Sequence, residues 1–163
     1  LRRIDIRDEQ IDRADLRDLE RPRLHYATYA IITGQFFSRA EAAVERDATV
    51  TLRFVGRREG QTLNALYRGK EHAPNLLAFV YDAAHPVSGD VVLCAPVLRQ
   101  EAKEQRKPLA DHCAHLVVHG VLHLQGYDHD NARAARRMEA RETAILATLG
   151  VPDPYAPSAA ARH

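Results

Sequence analysis

The sequence predicts a mixed α/β or α+β domain, with helices packed on a small sheet. Three observations predict it. The run TVTLRFVG alternates apolar Val50, Leu52 and Phe54 with Thr51 and Arg53, as a half-buried strand requires. Short apolar runs, Leu76 to Val80 and Val91 to Cys94, are bounded by Pro, Gly and Asp and fit buried strands. Helical patterns follow Pro96 and Pro108, and short links join strand to helix near 54–58 and 94–96.

Taken in order, Ile4 and Ile6 alternate with polar neighbours and give a weak strand signal. Residues 23 to 47 read as helical, interrupted by Gly34. Residues 58 to 68 form a short helix ended by Gly69. The final helix runs from about Asn131 to Leu149, where Gly150 and then Pro152 stop it. The ending PYAPSAAARH reads as a frayed tail, so the domain is expected over 1–155 and a flexible tail over 156–163. At 163 residues without repeats, one core suffices.

The 23 basic and 22 acidic residues leave a formal net charge of +1, so nucleic acid could be held only by a local basic patch. No apolar run reaches the 18 residues of a membrane span, and the start LRRIDIRDEQ has no signal-peptide core. The two cysteines, Cys94 and Cys113, lie in apolar runs and read as buried free thiols. A cytoplasmic protein is the expectation.

The chemistry concentrates in HLVVHGVLHLQGYDHD. His119 and His123 are one helical turn apart on one face, so both imidazoles can reach one ion. Gly126 permits a reversal that returns His129 to the same point, giving H-x3-H-x5-H. Three histidines without a fourth protein ligand leave one position for water, the arrangement of a catalytic metal site. Zinc is the expected single ion, with nickel or another divalent transition metal as the alternative. His115 lies one further turn back. Three i+4 ligands would spread over too much helix for one ion, so His115 is expected behind the ligands or in the core. His112 is expected on the surface, and Asp128 either orients a ligand or caps the turn. Gly120 occupies the position of the catalytic Glu in the protease motif H-E-x-x-H, which argues against a zinc protease of that class. It leaves room beside the metal or lets another helix approach closely.

These residues bear a resemblance. HGVLHLQGYDHD resembles the H-G-x-x-H-L-x-G-Y-D-H signature of the bacterial YbeY family, rRNA maturation factors. LNALYRGKE, SGDVVLCAPVL, EAKEQ, the Met-Glu-Ala at Met138 and GVPDPY resemble the same family in the same order, over about residues 48 to 155. The resemblance implies a compact α+β domain on a mostly parallel sheet. It implies a single-strand-specific, metal-dependent endoribonuclease acting on the 3′ end of small-subunit ribosomal RNA and in ribosome quality control. The family's metal ligands match His119, His123 and His129, and a functional arginine of L-N-x-x-Y-R-G-K matches Arg68. By position alone Arg68 reads as a cation favoured at a helix C-terminus. The sequence departs from the family's K-x-x-P-T-N-V-L-S-F at KEHAPNLLAF, where Ala73-Pro74 and Ala78 replace Pro-Thr and Ser.

Metal and arginine together suit phosphodiester cleavage, with the bound water and Arg68 as the catalytic groups. Arg57, Arg58, Arg68, Lys70 and Asn75 are the expected RNA contacts, Arg53 adds to the basic stretch, and Tyr67 and Tyr127 could stack on bases, although Tyr67 reads more readily as core. The attacking nucleophile and the general base are not assigned. A non-catalytic assembly factor that binds rRNA or a ribosomal protein is the competing reading. A metal-dependent deaminase or amidase, with a deep enclosed pocket, is the third.

Overall fold

The structure, a computed structural model, describes residues 39–45, 47–83 and 87–157, and the backbone of strand residues 2–7. Much of the expected 23–47 helix lies outside these residues, as does the tail from 158 on; within it, 39–43 is helical. The elements are β1 (Arg2–Arg7), β2 (Ala48–Val55), α1 (Arg57–Arg68), β3 (Leu76–Asp82), β4 (Val87–Cys94), α2 (Ala95–Glu104), α3 (Leu109–Leu124) and α4 (Ala132–Thr148). The strands form one sheet in the order β1-β2-β4-β3. β1 and β2, and β2 and β4, are parallel, and β3 closes one edge antiparallel to β4. The sheet is thus mixed and mostly parallel.

The alternation in β2 sorts its side chains as expected: Ala48, Val50, Leu52 and Phe54 are buried, while Thr49, Thr51 and Arg53 are half-buried. In β4, Val91 to Cys94 are all buried, because that end of the sheet is covered on both faces. Leu93 and Val91 join the large core under α3 and α4. Val92 and Cys94 pack with Val55, Leu77 and the Leu63 side of α1 on the opposite face. Each such Leu or Val contributes about 1.5–3 kcal/mol by leaving water.

β3 departs from expectation. Its first half is partly buried around Leu77, but Val80, Tyr81 and Asp82 are exposed. The apolar run signalled a strand correctly and a buried one incorrectly, because β3 is an edge with no neighbour beyond it among the described residues.

Helix ends follow local chemistry. Gly69, at φ 64°, closes α1 through its N–H to Ala65, and Lys70 donates to Asn64. Buried Asn64 donates to the His72 carbonyl at 2.7 Å, which fixes the turn that carries Arg68 to Lys70. Asn131 caps α4 by accepting from the Ala134 N–H at 2.9 Å.

Helix α3 is the centre of the molecule. Ten of its residues are buried, and Asp111, His115, His119 and His123, four apart, form its half-buried stripe. Gly120 faces the sheet: a Cβ there would lie 2.6 Å from Val91 Cγ1 and 2.9 Å from Leu76 Cδ1. The close partner is therefore the sheet, neither a second helix nor open space beside a metal.

Candidate metal centre

The polar stripe of α3 meets two other elements. After Leu124 the chain turns through Gln125 and through Gly126 at φ 96°, a conformation that disfavours side chains. Buried Gln125 ties this turn down: its Nε2 donates to the Ala43 and Val121 carbonyls, and its Oε1 accepts from the Glu45 N–H. Asp128 accepts from the Asp130 N–H at 3.2 Å, so it shapes the turn that presents His129.

The structure brings His119, His123 and His129 together. Their ring centres are 6.4 Å apart for 119–123, 5.8 Å for 119–129 and 6.3 Å for 123–129. The three imidazoles thus lie at the corners of a near-equilateral triangle. Burial pushes the His123 imidazole below its ordinary pKa, and the adjacent His119 adds to this, so the neutral form that binds metals is favoured. His123 Nδ1 is buried without a hydrogen-bond partner among the described residues.

From behind, α4 contributes a group the sequence reading missed. Glu142 is fully buried. Its Oε1 accepts from His119 Nδ1 at 2.5 Å, and its Oε2 accepts from His115 Nε2 at 3.1 Å and from the Tyr155 hydroxyl. Burial alone would raise this carboxyl; the three donors outweigh it and hold it at about 2. A signal existed. Met138, Glu142, Ile145 and Leu146 occupy one apolar stripe of α4, and a carboxylate in such a stripe calls for a buried partner. Tyr155, the last residue of the expected domain, is held in place: its hydroxyl donates to Glu142, its N–H donates to Asp153, and Lys107 reaches the Pro154 carbonyl at 3.2 Å.

Among the described residues, the group whose donor atoms all lie within 4.8 Å of one another is His115, His119 and Glu142, and this trio could hold a metal ion. Its atoms, however, already hydrogen-bond to each other and to Tyr155. His119 belongs to both groups. Its Nδ1 faces Glu142.

The remaining assignments divide. His112 is buried, not on the surface: its Nε2 meets Glu101 at 2.8 Å across the α2–α3 contact. The same carboxylate accepts from Asn75 Nδ2 at 3.3 Å, so the Asn75 amide braces the start of β3. Arg68 and Lys70 are exposed at the end of α1, as are Arg57 and Arg58 at its start; Arg57 donates to Gln100. The structure records no contact between Arg68 and the three histidines. Tyr67 is 65% exposed, not core, and packs edge-on to Phe79 with ring centres 4.9 Å apart. Tyr127 donates to Glu45 and lies under the Arg137 guanidinium. Both cysteines are buried thiols, Cys94 beside the Gly56 carbonyl, and burial pushes the Cys113 thiol up to about 11.

Fold and site together define a small α/β protein whose central helix, with a buried carboxylate from α4, gathers donors able to hold a metal ion. The chain belongs to the YbeY endoribonuclease family. Residues 20–150 match the family model described as Endoribonuclease YbeY. It is 56% identical to the Endoribonuclease YbeY of Aromatoleum aromaticum over 117 residues, 72% of this chain and 76% of that one. It is 55% identical to that of Thiobacillus denitrificans over 116 residues, 70% and 79% of the two chains. The solution structure of TM1509 from Thermotoga maritima shares the fold with a TM-score of 0.52 at 18% identity, over 94% of this chain and 99% of that one.

Because Glu142 faces His119 Nδ1, Glu142→Gln is expected to keep the fold and weaken metal binding by about 10–100-fold, as loss of a ligand's hydrogen-bonded partner does. Competition against a chelator of known affinity measures it.

Proposed function

We propose that this chain is a metal-dependent endoribonuclease of ribosomal RNA maturation that holds one zinc ion through His119, His123 and His129. The observation that carries the reading is the triangle of three imidazoles on α3 and its following turn, in a chain of the YbeY endoribonuclease family. The donor set fits such an ion: two imidazoles one turn apart, a third returned by a glycine turn, and a carboxylate that fixes the first. When bound, the ion supplies charge stabilisation at a phosphoryl oxygen and a more acidic water.

The protein's own groups then have distinct tasks. Glu142 holds His119 with its proton on Nδ1. Arg68 offers two parallel N–H donors to a phosphate, which a point charge cannot do. Gly69 beside it leaves the backbone open to close approach. Arg57, Arg58 and Lys70, all exposed, extend a basic strip along α1 and its end that follows a phosphate backbone. Asn75 belongs to the scaffold instead.

We place its substrate in single-stranded RNA at the 3′ end of the small-subunit rRNA, with a further part in ribosome quality control. Unpaired RNA exposes the phosphates and bases a surface strip can reach. The setting is cytoplasmic. No helix among the described residues is long and apolar enough to cross a membrane, and two buried thiols outside any disulfide fit a reducing compartment.

The test is cleavage of an RNA spanning the unprocessed 3′ end, with Arg68→Ala beside the wild type. The variant is expected to bind metal normally and to cut about 10²–10³-fold more slowly, the loss typical when a charge-stabilising donor is removed. Equal cutting by both would remove Arg68 from the reaction. RNA binding without cutting by wild type would favour the assembly-factor reading.

A further inference from the structure

Beneath the three histidines lies a hydrogen-bonded group that no sequence motif announced. Glu142 is fully buried and accepts three hydrogen bonds, from two separate parts of the chain. His119 Nδ1 and His115 Nε2 come from α3. The third donor, the Tyr155 hydroxyl, comes from the segment beyond α4. His115 Nε2 also lies 3.1 Å from the Tyr155 oxygen, and the two rings meet edge to face at 5.4 Å.

Counting protons fixes the arrangement. An ionised carboxylate only accepts, so each of the three atoms facing it must carry a hydrogen. Tyr155 donates through its O–H. His115 is then protonated on Nε2 and His119 on Nδ1. The two histidines, one turn apart on one helix, are thus held in opposite tautomers by a single carboxylate. For an unconstrained neutral imidazole the Nε2–H tautomer is the favoured one. His119 is in the other, and only that one leaves its Nε2 lone pair free.

The C-terminal segment is built to deliver the Tyr155 hydroxyl. Val151 is buried and its N–H returns to the Leu146 carbonyl at 2.9 Å. Asp153 accepts from the Thr143 hydroxyl at 3.2 Å and from the Tyr155 N–H at 2.9 Å, which clips the segment to α4. Lys107 holds the Pro154 carbonyl from the other side.

We infer that Tyr155 and His115 are positioning residues: by donating to Glu142 they fix its orientation, and Glu142 in turn locks His119 in its Nδ1–H form and aims its Nε2 toward His123 and His129. The C-terminal segment is thereby part of the metal centre although it supplies no ligand. The inference rests on the three-histidine reading, and it deepens that reading by naming what sets the first ligand.

Two readouts on the full-length, metal-depleted chain test it: the ¹⁵N shifts of the histidine rings, which report the tautomer directly, and Zn²⁺ affinity by chelator competition. Wild type is expected to show His119 protonated on Nδ1. Tyr155→Phe and His115→Gln are expected to shift His119 toward a tautomer mixture and to weaken Zn²⁺ binding by roughly threefold to tenfold, less than loss of the direct partner Glu142. A merely structural role would lower thermal stability and leave the ring shifts of the folded fraction unchanged. An unaltered His119 tautomer and affinity in both variants overturns the inference. So does abolished binding in His115→Gln with binding retained in His129→Ala, since His115 would then be a ligand. Should His123→Ala keep full Zn²⁺ affinity, the three-histidine reading fails, and the tautomer shift still decides the roles of Tyr155 and His115.

Discussion

His123→Ala is expected to empty the metal centre and abolish RNA cleavage while leaving the fold in place. The side chain is half-buried at the edge of the α3 stripe, so truncation opens a small polar gap instead of a core cavity. Its hydrophobic contribution is small beside that of Leu116, Val117 and Leu122, which hold α3 to the sheet. Its coordination, by contrast, has no substitute. Two imidazoles remain, and neither His115 nor Glu142 can move in without breaking the hydrogen bonds that tie each to the other. Wild type should carry about one metal ion per chain and the variant essentially none, as three-ligand sites depend on each ligand. Elemental analysis of dialysed protein checks this, with circular dichroism to show the variant is folded. Metal retained at the wild-type level would point to the His115, His119 and Glu142 group as the true donors.

The second large effect is on stability. Gly120→Ala is expected to destabilise the protein by about 1–3 kcal/mol, the usual penalty of overpacking. The added Cβ would fall 2.6 Å from Val91 Cγ1 on β4 and 2.9 Å from Leu76 Cδ1 on β3, inside van der Waals contact on two neighbouring strands. Relief requires α3 to lift from the sheet, which moves His119 with it. Gly120→Glu, which would restore the protease motif H-E-x-x-H, is expected to do worse. Position 120 points into the sheet, so the carboxylate would be buried without a partner and could not serve as a base at the metal. Urea denaturation of both variants tests this. A Gly120→Ala midpoint equal to wild type would mean that α3 and the sheet are less tightly apposed than described.

These results also show why some of the molecule was legible in the sequence and some was not. Local periodicity revealed β2, α1, α3 and α4, because each buries one face in a core and the pattern follows from that. The histidine triangle was legible because two of its members are one helical turn apart and a glycine follows the helix. Glu142 and Tyr155 were not, since their meaning lies in contacts across 23 and 40 residues of chain. His112 misled for the same reason: a polar residue in the second turn of a helix looks like surface until Glu101, eleven residues earlier, covers it from α2. Tyr67 and β3 misled in the opposite sense. Apolar character says a side chain prefers burial, but an edge strand and a helix end have nothing further to bury against.

The most direct test of the central claim is cleavage of a single-stranded RNA from the 3′ end of the small-subunit rRNA. Wild type and His123→Ala, purified identically, would be assayed as prepared, after chelation, and after Zn²⁺ is restored. The account predicts that wild type cuts, stops on chelation and recovers with metal, while His123→Ala is silent throughout. Cutting of equal rate by both proteins, indifferent to chelation, would contradict it.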